Sequence, residues 1–170
     1  MLSDQEALQI ALDEAKAGFA EGGVPPRLTM AQIGAALVSA DGTLMGKGRN
    51  QRVQLGSPIH HGETSTLYNT GRLSASAYKG STMYTTLSPC DMCTGACILY
   101  GIKRVVIGEN RTFLGGEAYL KQRGIDVVVL DNSECRELME AFIAKSPELW
   151  NEDIGVEKRV YSKESSQPAS

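Results

Sequence analysis

The sequence predicts an α/β fold, a three-layer α-β-α sandwich in which helices cover both faces of a mixed, mostly five-stranded central sheet. Three observations favour this class. Short apolar runs alternate with helical segments in the second half of the chain, residues 33–50 have the pattern of a β-hairpin, and residues 4–20 form an amphipathic helix. Alternating strands and helices are typical of right-handed βαβ units with parallel strands, and the hairpin adds antiparallel ones.

The first helix is predicted over residues 4–20. Ser3 and Glu6 fit a capping box, in which each side chain bonds the other residue's backbone N–H. Apolar residues then recur at spacings of three and four, which indicates one buried face. We expect Gly22-Gly23 to end the helix and Pro25-Pro26 to open an irregular stretch that continues to residue 32.

A β-hairpin is predicted next. Residues 33–38 are a compact apolar run, Asp41-Gly42 is a two-residue turn signal, and residues 43–50 supply the partner strand. Residues 51–60 are polar and contain Gly56 and Pro58, so we expect a loop there.

The remaining elements follow in order. Ser88 and Pro89 are expected to be the N-cap and the first position of a helix, and Ser133 is expected to cap a later one. The predicted elements are a weak helix over 61–73, strand 82–86, helix 88–100, strand 104–108, helix 117–123, strand 126–130, helix 133–145 and a helical turn over 147–154.

Length and composition indicate one globular domain. The chain has 170 residues, enough to bury a core, and we expect residues 1–155 to form a single domain followed by a disordered tail over 156–170. A net charge of −3 argues against nucleic acid as a partner and favours a small ligand. The sequence has neither a signal-peptide pattern nor an apolar run of ~18 residues, so we expect no membrane association and an intracellular location.

The chemistry-bearing residues lie in two segments. Cys90 and Cys93 are three residues apart at a predicted helix start, which places both thiols on one face. His61 can supply a third zinc ligand, so that the fourth position stays open for water. Glu63 is two residues further on. The pattern His-x-Glu with Pro-Cys-x-x-Cys is the signature of zinc-dependent nucleobase deaminases.

This pattern indicates a hydrolytic deamination. Zinc lowers the pKa of a bound water from about 15.7 to about 7, so hydroxide becomes available to attack a ring carbon that carries an amine. Glu63 can take the water proton, deliver it to the ring nitrogen and protonate the departing amine. The products would be a ketone base and ammonia.

Other interpretations of the same residues stay open at this point. Cys97 could complete a closed Cys₃His site of purely structural function, although its position one turn beyond Cys93 argues against that. Cys97 and Cys135 are more simply buried core thiols. His60 is an alternative ligand to His61, but the His-x-Glu spacing favours His61.

Several motifs resemble fungal cytosine deaminases over roughly residues 5–155. The resemblance implies a homodimeric three-layer fold that binds one zinc ion per subunit. It implies hydrolysis of free cytosine, and of 5-fluorocytosine, in cytoplasmic pyrimidine salvage, with a nuclear location also open. The similar segments are Gly22–Pro25, Gly48–Asn50, His61–Glu63, Gly71–Leu73, Thr85–Ala96, Val106–Asn110 and Trp150–Gly155.

The resemblance also implies roles for individual residues. His61, Cys90 and Cys93 would bind zinc and Glu63 would be the proton shuttle. The residues implied to contact the pyrimidine are Asn50, Asp153, the Gly62 backbone amide, the Ser88 carbonyl, and Phe113 and Trp150, which would close over the ring.

Two departures from the family pattern leave questions open. Residues 26–32 intervene before the first strand, and Asn151 stands where the family typically has Phe. The first could alter substrate access, and the second removes an aromatic side chain from the pocket's cover. The alternatives to a cytosine deaminase are a tRNA adenosine deaminase, which shares the zinc motif, and a non-catalytic zinc domain.

Overall fold

A computed structural model describes residues 1–20 and 33–157 of the chain. The expectations for the end of the first helix at Gly22-Gly23, for the stretch from Pro25 to residue 32 and for the tail beyond residue 157 lie outside the described residues.

Within the described ranges the sheet has five strands in the order β2-β1-β3-β4-β5. The first strand is antiparallel to both of its neighbours, whereas the last three strands are parallel to one another. The predicted mixed sheet with a leading hairpin is therefore confirmed. The strands are β1 (Gly34–Val38), β2 (Leu44–Arg49), β3 (Thr82–Leu87), β4 (Arg104–Glu109) and β5 (Asp126–Val129).

Helices cover both faces of this sheet, as predicted. One face packs against α1 and α7 through a cluster that includes Leu8, Leu12 and Val106. The other face packs against α3, α5 and α6 through Leu37, Met83 and Leu120, among others. The described helices are α1 (Asp4–Ala20), α2 (Arg52–Leu55), α3 (Gly62–Thr70), α4 (Ala75–Tyr78), α5 (Asp91–Leu99), α6 (Glu117–Gln122), α7 (Ser133–Lys145) and α8 (Pro147–Asp153).

The central strands are buried almost from end to end, as expected of parallel strands that are covered on both faces. The edge strands β2 and β5 are partly exposed and include polar residues. The predicted capping box opens α1, since the Ser3 N–H and hydroxyl donate to Glu6 Oε2 at 2.8 and 2.7 Å.

Two predicted N-cap residues are wrong. The Ser88 hydroxyl donates to Glu117 at 2.8 Å and accepts from the Gly115 N–H, so it caps no helix. The helix α5 begins two residues later, with Cys90 as its N-cap. Likewise Asn132, not Ser133, caps α7, because its side chain accepts from the Cys135 N–H at 2.9 Å.

The segment predicted to be a loop over 51–60 contains the one-turn helix α2, and the short helix α4 was not predicted. Both are four residues long, too short for an amphipathic pattern to appear in the sequence. In the part of the chain that the structure describes, no helix has the length and apolar character needed to cross a membrane.

Candidate metal centre and active site

The sheet topology collects the predicted site residues at one edge. Because β1 is antiparallel to β2 and β3, the start of β1 lies beside the ends of both neighbours. Ile33 precedes β1, Asn50 follows β2 and Ser88 follows β3. The chain then leads directly from Ser88 into the metal-ligand segment at the start of α5.

Two helix N-termini supply the candidate ligands. His61 is the N-cap of α3, where its backbone N–H donates to the Thr64 hydroxyl at 2.9 Å. Cys90 is the N-cap of α5, and its carbonyl accepts from the Thr94 N–H at 2.8 Å. Cys93 lies in the first turn of α5, so both thiols face the histidine.

The ligand atoms fit a zinc ion. One atom from each of His61, Cys90 and Cys93 lies within 4.8 Å of the other two, and His61 Nδ1 is 3.4 Å from Cys90 Sγ. Ligand atoms around a tetrahedral zinc at ordinary bond lengths are separated by about 3.5–3.8 Å, so small adjustments suffice. Cys97 is completely buried in the core and belongs to no metal cluster among the described residues. The geometry thus favours the open three-ligand site.

The electrostatics of the thiols also suit a metal. A hydrogen bond with Cys93 and another with His61 lower the pKa of Cys90 to about 4, against the effect of burial. The pKa of Cys93 is raised by its hydrogen bond with Cys90 and by burial. Zinc binds cysteine as the thiolate, so metal binding would release any proton that the Cys93 thiol holds.

Glu63 is buried beside the cluster, with 3% of its surface exposed. Its Oε1 atom accepts a hydrogen bond from the Thr85 hydroxyl at 2.9 Å. Burial is the largest cause of a raised pKa for this carboxyl, followed by the nearby Cys90 thiolate. A carboxyl that is held in place and binds protons more readily than usual can act as a general acid and base.

The predicted pair Asn50 and Asp153 is joined directly. The Asn50 side-chain amide donates to Asp153 Oδ1 at 2.7 Å, although 103 residues separate them. His61 Nε2 lies 3.8 Å from the same Asp153 oxygen. Nδ1 of the imidazole faces the Cys90 thiol, and Nε2 faces the Asp153 carboxylate.

A small cavity lies against the cluster. Its volume is about 10 Å³, which is about enough for one water molecule. A wider cleft of about 610 Å³ lies outside it and shares His61, Cys90, Phe113, Asp153 and Ile154. The inner cavity is lined by Ile33, His61, Glu63, Leu87, Ser88, Cys90, Phe113, Trp150, Asp153 and Ile154.

Phe113 and Trp150 both line the inner cavity, and Phe113 also lines the cleft. Their ring centroids are 5.6 Å apart at an interplanar angle of 87°, and Trp150 is 1% exposed. Asn151 follows, and its Oδ1 atom is buried without a hydrogen-bond partner in the described ranges. Asn151 lines neither the cavity nor the cleft.

Most of the residues that were expected to contact the pyrimidine lie at the cavity. Of the expected pyrimidine contacts, Ser88, Phe113, Trp150 and Asp153 line the cavity. Asn50 is linked to it through Asp153, and Gly62 lies next to His61, where a Cβ atom would come 3.0 Å from the Ile33 carbonyl oxygen.

Other residues of the site were missed. Thr85, Leu87 and Ile154 occur inside segments that resemble fungal cytosine deaminases. The sequence did not show that their side chains point towards the site. Arg52 had no signal, since it lies in a segment predicted to be a loop. It donates to Asp153 at 3.0 Å.

Comparisons with known proteins agree with this geometry. Residues 1–109 match the family model described as the cytidine and deoxycytidylate deaminase zinc-binding region. A cytosine deaminase of Candida albicans is 53% identical over 152 residues, which cover 89% of this chain and 97% of that protein. A tRNA-specific adenosine deaminase of Haemophilus influenzae is 35% identical over 109 residues, 63% of this chain and 58% of that protein.

One solved structure extends the comparison to the fold. It comes from a study of A-to-I editing by tRNA:A34 deaminases at the wobble position of transfer RNA, and it superposes with a TM-score of 0.63 at 25% identity. The match covers 79% of this chain and 99% of the other.

Proposed function

The chain belongs to the cytidine and deoxycytidylate deaminase zinc-binding family, and we propose that it hydrolyses free cytosine to uracil and ammonia. The observation that carries this proposal is the His61, Cys90 and Cys93 cluster with buried Glu63 beside it, next to a small cavity. We extend the proposal to 5-fluorocytosine, which differs from cytosine by one small ring substituent.

The choice of a free base rests on two supports. The relative that covers nearly the whole of this chain at 53% identity is a cytosine deaminase. In addition, Phe113 and Trp150 line the cavity, and α8 contributes both Trp150 and Asp153 to its lining. A site narrowed in this way favours a small ligand over a polynucleotide.

The residues present fit a zinc ion, which His61, Cys90 and Cys93 would hold. When bound there, zinc supplies Lewis-acid activation of water for attack on the amine-bearing ring carbon. Glu63 receives the proton that the water loses and delivers it to the adjacent ring nitrogen. The Thr85 hydroxyl holds the Glu63 carboxyl in place during these transfers.

The atoms balance without a further reactant. Water contributes the new carbonyl oxygen, the bond from the ring carbon to the exocyclic nitrogen breaks, and Glu63 returns a proton to the departing amine, which leaves as ammonia. We propose that Asn50, the Gly62 amide, the Ser88 carbonyl and Asp153 hold the polar edges of the base. Phe113 and Trp150 would cover its faces.

We also propose the wider setting that the resemblance implies. Residues 1–155 would act as one deaminase domain in a homodimer, with a role in pyrimidine salvage in the cytoplasm and, as an open alternative, the nucleus. Light scattering on the purified protein tests the dimer, which would appear as twice the mass of 18.3 kDa.

Ammonia release is the direct test of the activity. We expect the zinc-loaded protein to release ammonia from cytosine, and Glu63→Gln to lower the rate by about 10²–10⁴-fold while zinc stays bound. Glu140→Gln is the matched control, because Glu140 is an exposed glutamate on α7. An active Glu63→Gln variant would contradict the mechanism.

The substrate is tested in the same assay. Adenosine in a tRNA anticodon stem-loop is offered in parallel with cytosine, because the chain also resembles tRNA-specific adenosine deaminases. We expect turnover of cytosine alone. Turnover of the tRNA alone would replace the proposal by the second activity, and inactivity on both with zinc bound would favour a structural metal site.

A further inference from the structure

We propose that Arg52 is a positioning residue that holds Asn50 and Asp153 in one hydrogen-bonding arrangement and thereby sets the affinity of the site for the base. This inference rests on the proposed function, since it concerns the residues that would bind the substrate. Arg52 is the first residue of α2, and its side chain is 12% exposed.

The backbone of Arg52 orients the Asn50 amide. The Arg52 N–H donates to Asn50 Oδ1 at 3.1 Å, so the oxygen end of the amide faces the α2 turn. The nitrogen end consequently faces Asp153, to which it donates at 2.7 Å. A flipped amide would place its NH₂ group against the Arg52 N–H, and both contacts would be lost.

The guanidinium of Arg52 orients the Asp153 carboxylate. Nη1 donates to Asp153 Oδ1 at 3.0 Å, and the Asp153 side chain is only 3% exposed. A buried carboxylate is costly unless it is paired with a cation and hydrogen-bonded. Arg52 meets both needs and leaves the arrangement intact when the cavity is empty.

The same guanidinium also connects α2 to the helix that carries two residues of the cavity lining. Nη2 donates to Glu152 Oε1 at 3.0 Å, so one planar group binds consecutive carboxylates near the end of α8. That helix carries Trp150, which lines the cavity. Arg52 therefore holds α8 against the α2 turn at the same time as it orients the polar pair.

The side chains of Asn50 and Asp153 therefore present a fixed pattern of hydrogen-bond donors and acceptors to the base. Asn50 retains its second N–H, and the Asp153 carboxylate accepts only. A base whose polar edge has both a carbonyl and an N–H complements this pair. Without the guanidinium, Asp153 and α8 must be ordered when the base binds, and that ordering cost weakens binding.

The test separates binding from chemistry. We expect Arg52→Gln to raise the KM for cytosine and the Kd for uracil, measured by titration calorimetry, about tenfold, equivalent to ~1.4 kcal/mol. Within the described residues no hydrogen bond or ion pair joins Arg52 to a metal ligand or to Glu63, so kcat should change less than about threefold. Arg52→Lys keeps the charge without the planar fork and should restore part of the loss.

Arg104→Gln is the matched control. Arg104 also binds an aspartate with two hydrogen bonds, at 2.6 and 2.7 Å, but the pair joins α1 to β4 away from the cavity. We expect this variant to lower the unfolding temperature and leave both KM and the uracil Kd unchanged. If Arg52→Gln is recovered unfolded, Arg52→Lys carries the test, with an expected rise in KM of about threefold.

Two results would overturn the inference. One is a KM and a uracil Kd in Arg52→Gln within about twofold of wild type, a difference below ~0.4 kcal/mol. The other is a loss of activity at unchanged KM, which is what a smaller folded fraction produces. If the wild-type protein itself is inactive on cytosine, the proposed function fails first, and this inference fails with it.

Discussion

Cys93 and Cys97 lie one turn apart on α5, and both are completely buried. Cys93 belongs to the metal cluster, whereas Cys97 packs in the core with Met83 and Ile107. Burial raises the pKa of Cys97, so its thiol stays protonated at neutral pH. Neighbouring cysteines of similar burial therefore have separable roles.

We predict that Cys93→Ala loses both zinc and ammonia release, because two ligands remain of the three. Cys97→Ala should retain both and lower the free energy of unfolding by about 1–2 kcal/mol, the cost of a small core cavity. Metal analysis by mass spectrometry and urea denaturation measure the two effects. Loss of zinc from Cys97→Ala would instead indicate a closed structural site.

At the level of residues, the sequence predicted the groups whose chemistry is tied to short spacing. His61 and Glu63 are two apart, and the two cysteine ligands are three apart. It did not predict Thr85 or Arg52. Thr85 contacts Glu63, 22 residues away, and Arg52 contacts Asp153, 101 residues away. Only the folded chain creates these contacts.

At the level of elements, the helix α1 lies very close to the strand β1 at Gly34. A Cβ atom on Gly34 would overlap the Ala11 carbonyl oxygen and lie 2.6 Å from the Ala15 nitrogen. Both are backbone atoms of α1, so neither can turn away as a side chain could. The helix can lie this close to the strand only because the residue there is glycine.

We predict that Gly34→Ala lowers the free energy of unfolding by about 1–3 kcal/mol, since α1 must shift to admit the methyl group. Gly95→Ala is the control of opposite sign. A Cβ atom there meets nothing within 4 Å, and Gly95 lies inside α5. It should therefore raise stability by about 0.5–1 kcal/mol through helix propensity. Urea denaturation measures both, and equal stability of Gly34→Ala and wild type would refute the packing argument.

Element types were easier to predict than element starts. The strands and the longer helices that the structure describes were all predicted, mainly from apolar runs and helical spacings and, for β2, from the Asp41-Gly42 turn signal. The predicted N-caps of α5 and α7 were wrong because Ser88 and Ser133 are good N-cap residues by type, whereas Cys90 and Asn132 occupy those positions. Ser88 does not cap α5 because its hydroxyl donates to Glu117 instead.

For the molecule as a whole, ion pairs connect distant parts of the chain. Arg104 on β4 binds Asp4 at the start of α1, 100 residues away. Tyr84 on β3 donates to the same carboxylate at 2.9 Å. The Arg104 hydrogen bond is the main reason that the pKa of Asp4 lies below its usual value.

This lowered pKa predicts a pH dependence of stability. A carboxyl that is more acidic in the folded state stabilises the protein above its unfolded pKa of about 3.9, and the contribution disappears as the pH falls through the folded pKa. We expect Asp4→Asn to lower the free energy of unfolding by about 1 kcal/mol at neutral pH, the scale of a partly exposed pair.

The difference between wild type and Asp4→Asn should be constant above about pH 5 and shrink below about pH 4. Urea denaturation at about pH 7, 5 and 3 measures it. A difference that persists unchanged at the lowest pH would show that the carboxylate charge is not its source.

The overall architecture could be predicted because alternation of strands and helices restricts the topology to few solutions. The enclosure of the cavity could not be predicted from the same patterns. It depends on the contact between α8 and the segment that carries Phe113. The rings of Phe113 and Trp150 are in contact although 37 positions separate the two residues in the sequence.

The position of Trp150 has a practical consequence. It is the sole tryptophan of the sequence, and it lies between Phe113 and Phe142 on the wall of the cavity. The indole N–H is buried without a partner among the described residues. Intrinsic fluorescence excited at the indole band therefore comes from one place, the cover of the candidate site. A change in its emission or in its quenching by acrylamide would report opening of that cover directly, with no label attached.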